Sequence, residues 1–129
     1  MGITLNPKHP KGHDVAKRLV SKSDIVADNM TWGAMERLGL GYDELVKIKP
    51  DIIALSMPSM SPGGPYTHFT ANGDQLAAMA GLYHLTGYVD KPGMAPGQVW
   101  PDFTSNPYHA TTALIAALYY RNKTGKGQQ

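Results

Sequence analysis

The chain has 129 residues, a formal net charge of +2, 42% hydrophobic and 17% charged residues, and no cysteine. This length fits about one ordinary domain, the composition excludes a disordered chain, and the small charge argues against a nucleic-acid surface, though not against a small anionic ligand. The lack of cysteine excludes disulfides, thiolate nucleophiles and sulfur-ligated zinc, and it fits a reducing cytoplasm.

The first half of the chain has the pattern of a parallel βαβ unit. Helical periodicity predicts a helix over 10–22, and short apolar runs at 24–28 and 51–55 are typical of buried strands. Short helices are predicted between these runs, over 33–38 and 42–48. We therefore expect two parallel strands joined by a right-handed crossover.

Two loops of this unit are candidates for ligand binding. In open parallel sheets the crevice forms at the carboxyl ends of the strands, which here means residues 29–33 and 57–66. The second loop, MPSMSPGGPY, contains three of the ten prolines and the pair Gly63 and Gly64. Such restricted backbone predicts a sharply turning, ordered loop.

The second half is predicted to be mainly helical. A helix is expected over 73–84, a glycine- and proline-rich irregular segment over 87–101, and a last helix capped by Asn106. Residues 110–120 are apolar on nearly all sides, which predicts burial. Because no convincing third strand follows and a two-stranded sheet is marginal alone, we expect part of a larger protein or a core completed by association.

One carboxylate, Asp102, lies in the stretch WPDFTSNPY ahead of this last helix. If Asn106 is the cap, Asp102 is four positions too early to share that role, although an acid near a helix start often only complements the helix dipole. An ionised carboxylate there would also suit nucleophilic attack on an acyl group. The residues alone leave both interpretations open and favour the structural one.

No metal site, targeting segment or membrane span is expected. Residues 1–20 contain polar and charged side chains where a signal peptide needs an apolar core, and no window has the apolar length of a bilayer span. His9 and His13 are four apart but are separated by a proline and a glycine. The other three histidines, His68, His84 and His109, have no ligand-like spacing.

Residues 28–45, DNMTWGAMERLGLGYDEL, resemble the ENFRPGVMERLGLGYEEL signature of the class III CoA-transferase family, which includes formyl-CoA transferase and carnitine CoA-transferase. Further agreement comes in order from LNPKHPKG (5–12), GLYHLTG (81–87) and the tail 113–128 with its ending RNKTGKGQ. The resemblance covers essentially all 129 residues. Family members are several times longer, so it indicates a piece of a longer chain.

The resemblance implies an α/β fold within a partial large domain that spans all of 1–129. A Rossmann-like parallel βαβ part over 1–66 would bind CoA, and a helical part over 67–129, with long buried helices, would carry the nucleophile loop. The implied reaction transfers CoA from an acyl-CoA to a carboxylic acid, with CoA as a substrate and no metal. Asp102 would attack the thioester to give a mixed anhydride, and an aspartyl-CoA thioester would follow.

The resemblance also implies a set of CoA-binding residues. Arg37 matches an arginine that the family uses on the CoA phosphates, although it could instead be a helix-terminal cation in solvent. Asn72 could hydrogen-bond the substrate or cap the helix that starts near Gly73. The remaining implied CoA-lining positions are Leu5, Asn6, Pro7, Lys8, Asn29, Met30 and Thr31.

The family forms interlocked dimers, which implies a homodimer or a related subunit and an inactive isolated segment.

Some features of the family are absent from this sequence. The FRPG segment of the family signature is replaced by Met30 to Gly33, and the loop usually written SGFGQTGPY lacks its Gly-Gln portion. No glycine-rich loop that could stabilise an oxyanion is found. The acyl substrate is therefore not predicted, although Trp32, Trp100, Phe103 and Tyr108 could flank a bulky acyl group or pack in a core. Two other functions stay open: a catalytically silent CoA- or nucleotide-binding subunit, and an assembly module without a ligand.

Overall fold

The structure, a computed structural model, describes residues 2–95, 97 and 101–129. Its elements in chain order are helix α1 (Pro10–Val20), strand β1 (Ile25–Asp28), helices α2 (Ala34–Arg37) and α3 (Tyr42–Ile48), strand β2 (Ile53–Ser56), helices α4 (Gly73–Met79) and α5 (Leu82–Leu85), a wide π-helical turn (Pro101–Ser105) and helix α6 (Asn106–Thr124).

The βαβ unit is confirmed. Strands β1 and β2 pair in parallel, with Ile25 beside Ile53 and Asp28 beside Ser56, and α2 and α3 lie between them in the chain. Both strands lie within two residues of the predicted runs, and α3 matches its predicted range. The carboxyl ends of the two strands therefore meet at one edge of the sheet.

The core lies in this first half. Ile52 is 0% exposed and Leu45 is 2% exposed, and together with Val20 they form one buried cluster. Val20 comes from the end of α1 and Leu45 from the middle of α3, so both helices cover the segment that leads into β2. Burying these aliphatic side chains removes apolar surface from water, which is the main stabilising contribution to such a core.

The carboxyl-terminal tail extends the sheet, which the sequence patterns did not predict. Gln128 makes a parallel bridge with Ile53, and the Ala54 N–H donates to the Gln128 carbonyl at 2.9 Å. Gly127 lies so close to the sheet that a Cβ there would be 2.0 Å from the Ile52 carbonyl oxygen. A residue without a side chain is therefore needed where the tail meets β2. The sheet of the described residues has two strands, as expected, and the tail adds a single bridge to it.

Ion pairs connect the end of α6 to the amino ends of the strands. Arg121 Nη1 lies 3.1 Å from Asp24 Oδ1 and 3.9 Å from Asp51 Oδ2. Lys49 Nζ lies 2.6 Å from Asp51 Oδ1. The hydrogen bond from Lys49 is the main cause that lowers the pKa of Asp51, and it outweighs the opposite effect of partial burial.

Replacing Asp51 with Asn is expected to make the free energy of unfolding fall less between neutral and acid pH than it does in the parent protein. A lowered folded pKa means that Asp51 stabilises the fold above its unfolded pKa and that this stabilisation is lost as the pH falls through the folded pKa. Asp51→Asn should therefore be less stable than the parent at about pH 7, and the difference should shrink below about pH 4. Urea unfolding of the full-length protein at both pH values measures it. Asp14→Asn, at an exposed site on α1, is the matched control, and a pH-independent difference for Asp51→Asn would contradict the prediction.

Helix α6 is less buried than predicted. None of its residues is buried in this chain, and Tyr108 is 74%, Ile115 62% and Tyr119 61% exposed. The helix packs against β2 on one side, and the chain contains too few elements to surround an all-round apolar helix. The prediction of long buried helices is therefore wrong for α6 in the chain by itself. No helix in the described ranges has the length and apolar character to cross a bilayer.

The predicted helix over 73–84 is divided in two. Gly81 has a φ of +79°, a left-handed conformation that ends the run of helical backbone between α4 and α5. Asn72 caps α4: its Oδ1 accepts from the N–H groups of Asp74 and Gln75, each at 3.2 Å, while its own N–H donates to Gln75 Oε1 at 2.7 Å. The capping role predicted for Asn72 is confirmed in this form.

Candidate active site

Asp102 lies in the π-helical turn Pro101–Ser105, called the Asp102 turn below, which leads directly into α6. Ser105 is the N-cap of α6, and Asn106 is its first residue. The prediction that Asn106 caps the helix is therefore wrong by one position, because the chain is already helical before it. This shift leaves the Asn106 side chain available for another contact.

Both oxygens of Asp102 accept a hydrogen bond. The N–H of Gly73, the buried first residue of α4, donates to Oδ2 at 3.1 Å, and Asn106 Nδ2 donates to Oδ1 at 3.3 Å. Asp102 is nevertheless exposed. A carboxylate has about four lone-pair sites, so two donors fix its orientation and leave lone pairs that a substrate can reach.

A groove of about 500 Å³ lies beside the Asp102 turn. It is formed by the carboxyl end of β2, the loop that follows and the first turns of α6, and is called the α6 groove below. Its walls include Met57, Pro58, Leu76, Asn106, His109 and Ala113. Asn106 both lines the groove and contacts Asp102, so the carboxylate adjoins the groove through this side chain. Five residues of the loop predicted to form a crevice after β2 line this groove: Met57, Pro58, Ser59, Ser61 and Pro62.

Hydrogen bonds fix the shape of the loop that forms this wall. Ser59 Oγ donates to the Ala71 carbonyl at 2.7 Å, and Thr67 Oγ1 donates to the Gly64 carbonyl at 2.6 Å. The first bond ties the loop to the residue just before the cap of α4. The loop is thus held next to the helix start that also contacts Asp102.

His109 is a groove residue that the sequence did not single out. Its Nδ1 lies 2.8 Å from the carbonyl oxygen of Ser105, one turn earlier. The signal that could have found it is spacing: Asn106 and His109 follow Asp102 at intervals of four and seven residues, which places all three along one face of a helix.

Arg37 lies at the carboxyl edge of β1. It is the exposed last residue of α2, and its guanidinium lies over Gly33, where an added Cβ would be 3.0 Å from Nη1. Gly33 has a φ of +79°, so a side chain there would be strained as well as crowded. The cation is thus held close to the loop after β1.

The other predicted CoA-lining segments lie at two places. Residues 5–8 precede α1, where Asn6 Oδ1 accepts from the Lys8 N–H at 3.1 Å, and a Cβ on Gly12 would be 2.0 Å from the Asn6 carbonyl oxygen. Residues 29–31 follow β1, where the Met30 N–H donates to Asp28 Oδ1 at 3.0 Å. Leu5 and Pro7 are partly buried, while Asn6, Lys8, Asn29 and Met30 are exposed.

The structure brings some of these residues together and not others. Asn72 lies next to Gly73, which binds Asp102 directly. In the described part of the chain, Arg37 and the segments 5–8 and 29–31 share no hydrogen bond with Asp102 and do not line the α6 groove. The two sets of candidates approach each other at the carboxyl ends of β1 and β2, where Leu55 and Ser56 line both the α6 groove and a second cavity that also includes Thr31 and Gly33.

The aromatic candidates also differ in position. Phe103 is 70% exposed and Tyr108 is 74% exposed, so neither packs in the core of this chain, whereas Trp32 is partly buried. Trp100 lies outside the described residues. Within the described ranges, no group of three or more histidines, aspartates and glutamates is arranged to hold a metal ion.

Comparisons with known proteins agree with the resemblance. The family model described as CoA-transferase family III matches residues 1–129. The chain is 36% identical over 127 residues to formyl-CoA:oxalate CoA-transferase of Streptomyces avermitilis, which covers 98% of this chain and 31% of that protein. It is 34% identical over 125 residues to succinyl-CoA:glutarate CoA-transferase of Mus musculus, covering 97% of this chain and 28% of that protein.

The fold agrees as well. The solved structure of a CAIB/BAIF family protein from Brucella suis superposes with a TM-score of 0.90 at 31% identity, covering 98% of this chain and 33% of that one. The chain thus spans about a third of the length of the relatives it matches. The class III resemblance and the α/β fold class are confirmed. Since the family match extends over every residue, this chain belongs to CoA-transferase family III.

Proposed function

We propose that the protein containing this chain transfers CoA between an acyl-CoA and a carboxylic acid, with Asp102 as the nucleophile. The observation that carries the proposal is the Asp102 carboxylate itself, which is exposed, held by two donors and next to a groove of about 500 Å³ that Asn106 lines. Membership of the family supports the reaction class, and the named relatives are CoA-transferases.

The proposed reaction proceeds through two kinds of covalent intermediate on Asp102. The carboxylate attacks the thioester carbon, the C–S bond breaks, and a mixed anhydride and CoA thiolate result. The thiolate then attacks the aspartyl carbon of the anhydride, which releases the first acid and leaves an aspartyl-CoA thioester. The acceptor carboxylate repeats these steps in reverse, so that a new acyl-CoA leaves and Asp102 regains its charge.

The contacts of Asp102 suit positioning rather than activation. Hydrogen bonds to the free carboxylate stabilise the ground state and make it less nucleophilic, but the contact from Asn106 is long at 3.3 Å and is therefore weak. In return the two donors fix the direction of attack. Holding a nucleophile and a thioester in reacting geometry can contribute roughly 7 to 11 kcal/mol to lowering the barrier.

We also propose that CoA is bound by Arg37, by the loop after β1 and by the segment that precedes α1. Arg37 would bind its phosphates with a fork of N–H donors, and the backbone of Leu5, Asn6, Pro7 and Lys8 and of Asn29, Met30 and Thr31 would line the rest. The Asn72 side-chain oxygen caps α4, so its amide nitrogen is the group available to donate to substrate.

A second copy of the chain or a related subunit completes the proposed enzyme. The exposed apolar side chains of α6, Tyr108, Ile115 and Tyr119, support a further packing partner. We place the reaction in the cytoplasm, in keeping with the absence of cysteine. The 129-residue segment alone is expected not to turn over.

The test is to trap the covalent intermediate. Full-length protein incubated with an acyl-CoA and then treated with hydroxylamine should carry an aspartyl hydroxamate at Asp102, identified by mass spectrometry of the tryptic peptide. Borohydride should reduce the aspartyl thioester to an alcohol at the same residue. Protein treated without acyl-CoA is the control. Binding of CoA without modification would instead support the silent subunit, and no binding of CoA would support the assembly module.

A further inference from the structure

We infer that His109 makes this site select acyl groups that carry a hydroxyl at a distance from the thioester carbon. The inference rests on the proposed function of Asp102 and concerns the part of the α6 groove that His109 lines. His109 lines the groove one helical turn beyond Ser105, the last residue of the Asp102 turn. It is the histidine of the groove, and its ring is already fixed by one hydrogen bond.

The bond to Ser105 sets the chemical character of the free ring nitrogen. A carbonyl oxygen can only accept, so at 2.8 Å the Nδ1 of His109 carries the proton and donates. In the neutral ring Nε2 then has a lone pair and acts as an acceptor. No described residue donates a hydrogen bond to Nε2, so this acceptor is available to a ligand in the groove.

The groove has the shape of an acyl-chain site. Its walls include the apolar side chains of Met57, Pro58 and Leu76, and the small side chains of Ala110 and Ala113 leave space along α6. Seven residues at 1.5 Å per residue separate Asp102 and His109 by roughly 10 Å along the helix axis. An acyl chain bonded at Asp102 that spans this distance would bring its far end to His109.

The same walls argue against a second carboxylate on the acyl group. No lysine or arginine is among the described residues that line the groove. A carboxylate has no proton to donate to the Nε2 lone pair, so it would gain no hydrogen bond from this acceptor. A hydroxyl both donates to Nε2 and stays uncharged. The ligand class that fits is therefore a medium-length hydroxyacyl group.

Two variants separate the acceptor from the rest of the ring. In His109→Asn the amide nitrogen takes the place of Nδ1 and can keep the bond to the Ser105 carbonyl, but no acceptor reaches into the groove. In His109→Gln the amide oxygen takes the place of Nε2 and keeps the acceptor. Comparing Asn with Gln therefore tests the acceptor at nearly constant size and polarity.

The experiment measures covalent trapping at Asp102 in full-length protein with straight-chain acyl-CoA thioesters of about four to eight carbons, each with and without a terminal hydroxyl. The readout is the ratio of kcat/KM for the hydroxylated thioester to that for its unsubstituted match. For the best length we expect a ratio of about tenfold in the parent, a ratio near one in His109→Asn, and most of the preference retained in His109→Gln.

The outcomes distinguish the role of His109 in selecting the acyl group from the role of Asp102 as the nucleophile. If Asp102 is labelled but the parent shows no preference for the hydroxyl at any length, or the preference survives in His109→Asn, the role of His109 is overturned and the nucleophile stands. If neither thioester of any length labels Asp102, the proposed function fails and the inference fails with it.

Discussion

Replacing Asp102 with Asn is expected to lower CoA transfer by about 10⁴-fold or more, since removing a covalent nucleophile has effects of this size in other enzymes. An amide at this position cannot form the anhydride or the aspartyl thioester. The amide oxygen can still accept from the Gly73 N–H, which lies 3.1 Å from the native carboxylate. Initial rates of acyl-CoA consumption in the full-length protein, with and without an acceptor acid, measure the loss.

The choice of Asn makes this experiment specific for chemistry. Alanine would also remove the acceptor for the buried Gly73 N–H and so disturb the start of α4, because a buried donor without a partner is costly. Asp102→Glu keeps the charge but moves it by one methylene, and should lose about 100-fold through misplacement of the nucleophile. Asp90→Asn, at an exposed site elsewhere, is the control for removing one negative charge. Activity within tenfold of the parent in Asp102→Asn would mean that the carboxylate is structural.

The two interpretations of Asp102 drawn from the sequence turn out to be compatible. Asp102 does not cap the helix that follows it, as its spacing from α6 indicated. It does accept from the first N–H of a different helix, α4, which lies 29 residues earlier in the chain. The sequence could identify the acid, but a partner that is brought near only by folding leaves no local pattern.

The predicted parts of the fold are those that depend on local periodicity. Strands β1 and β2 and helix α3 have short, strongly apolar or amphipathic patterns, and each lies where it was predicted. The tail was missed because the pairing of Gln128 with Ile53 depends on the close approach of Gly127 to Ile52, which is a tertiary contact. A glycine near a chain end has no spacing that reveals such a contact.

Burial was predicted less well than secondary structure, for a physical reason. An apolar helix surface lowers the free energy only when another element covers it, and this chain supplies β2 on one side of α6. The apolar pattern of α6 thus indicates that the helix requires packing partners on several sides, whereas this chain supplies a partner on one side. The loop after β2, which forms one wall of the α6 groove, was predicted from the topology of the sheet. Asn106 and His109 were not predicted as groove residues, because their positions depend on where α6 begins and on which of its faces lines the groove.

The second large effect is expected in the core. Ile52→Ala should lower the free energy of unfolding by about 2 to 5 kcal/mol, and Ile52→Val by about 0.5 to 1.5 kcal/mol, because Ile52 is 0% exposed and the smaller side chains leave a cavity beside Leu45 and Val20. Urea unfolding of the full-length protein measures both values. Ile3→Ala removes the same atoms from a side chain that is 62% exposed, and should change the stability by no more than about 0.5 kcal/mol.

The Ile52 and Asp102 variants should also separate stability from chemistry. Ile52 directly precedes β2, and the groove begins at the other end of that strand, so the cavity is expected to lower the folded fraction without displacing the Asp102 turn. Trapping at Asp102, corrected for the folded fraction, should therefore be close to the parent value in Ile52→Ala and absent in Asp102→Asn. An Ile52→Ala protein that is as stable as Ile3→Ala would show that the cluster of Val20, Leu45 and Ile52 does not hold this fold together.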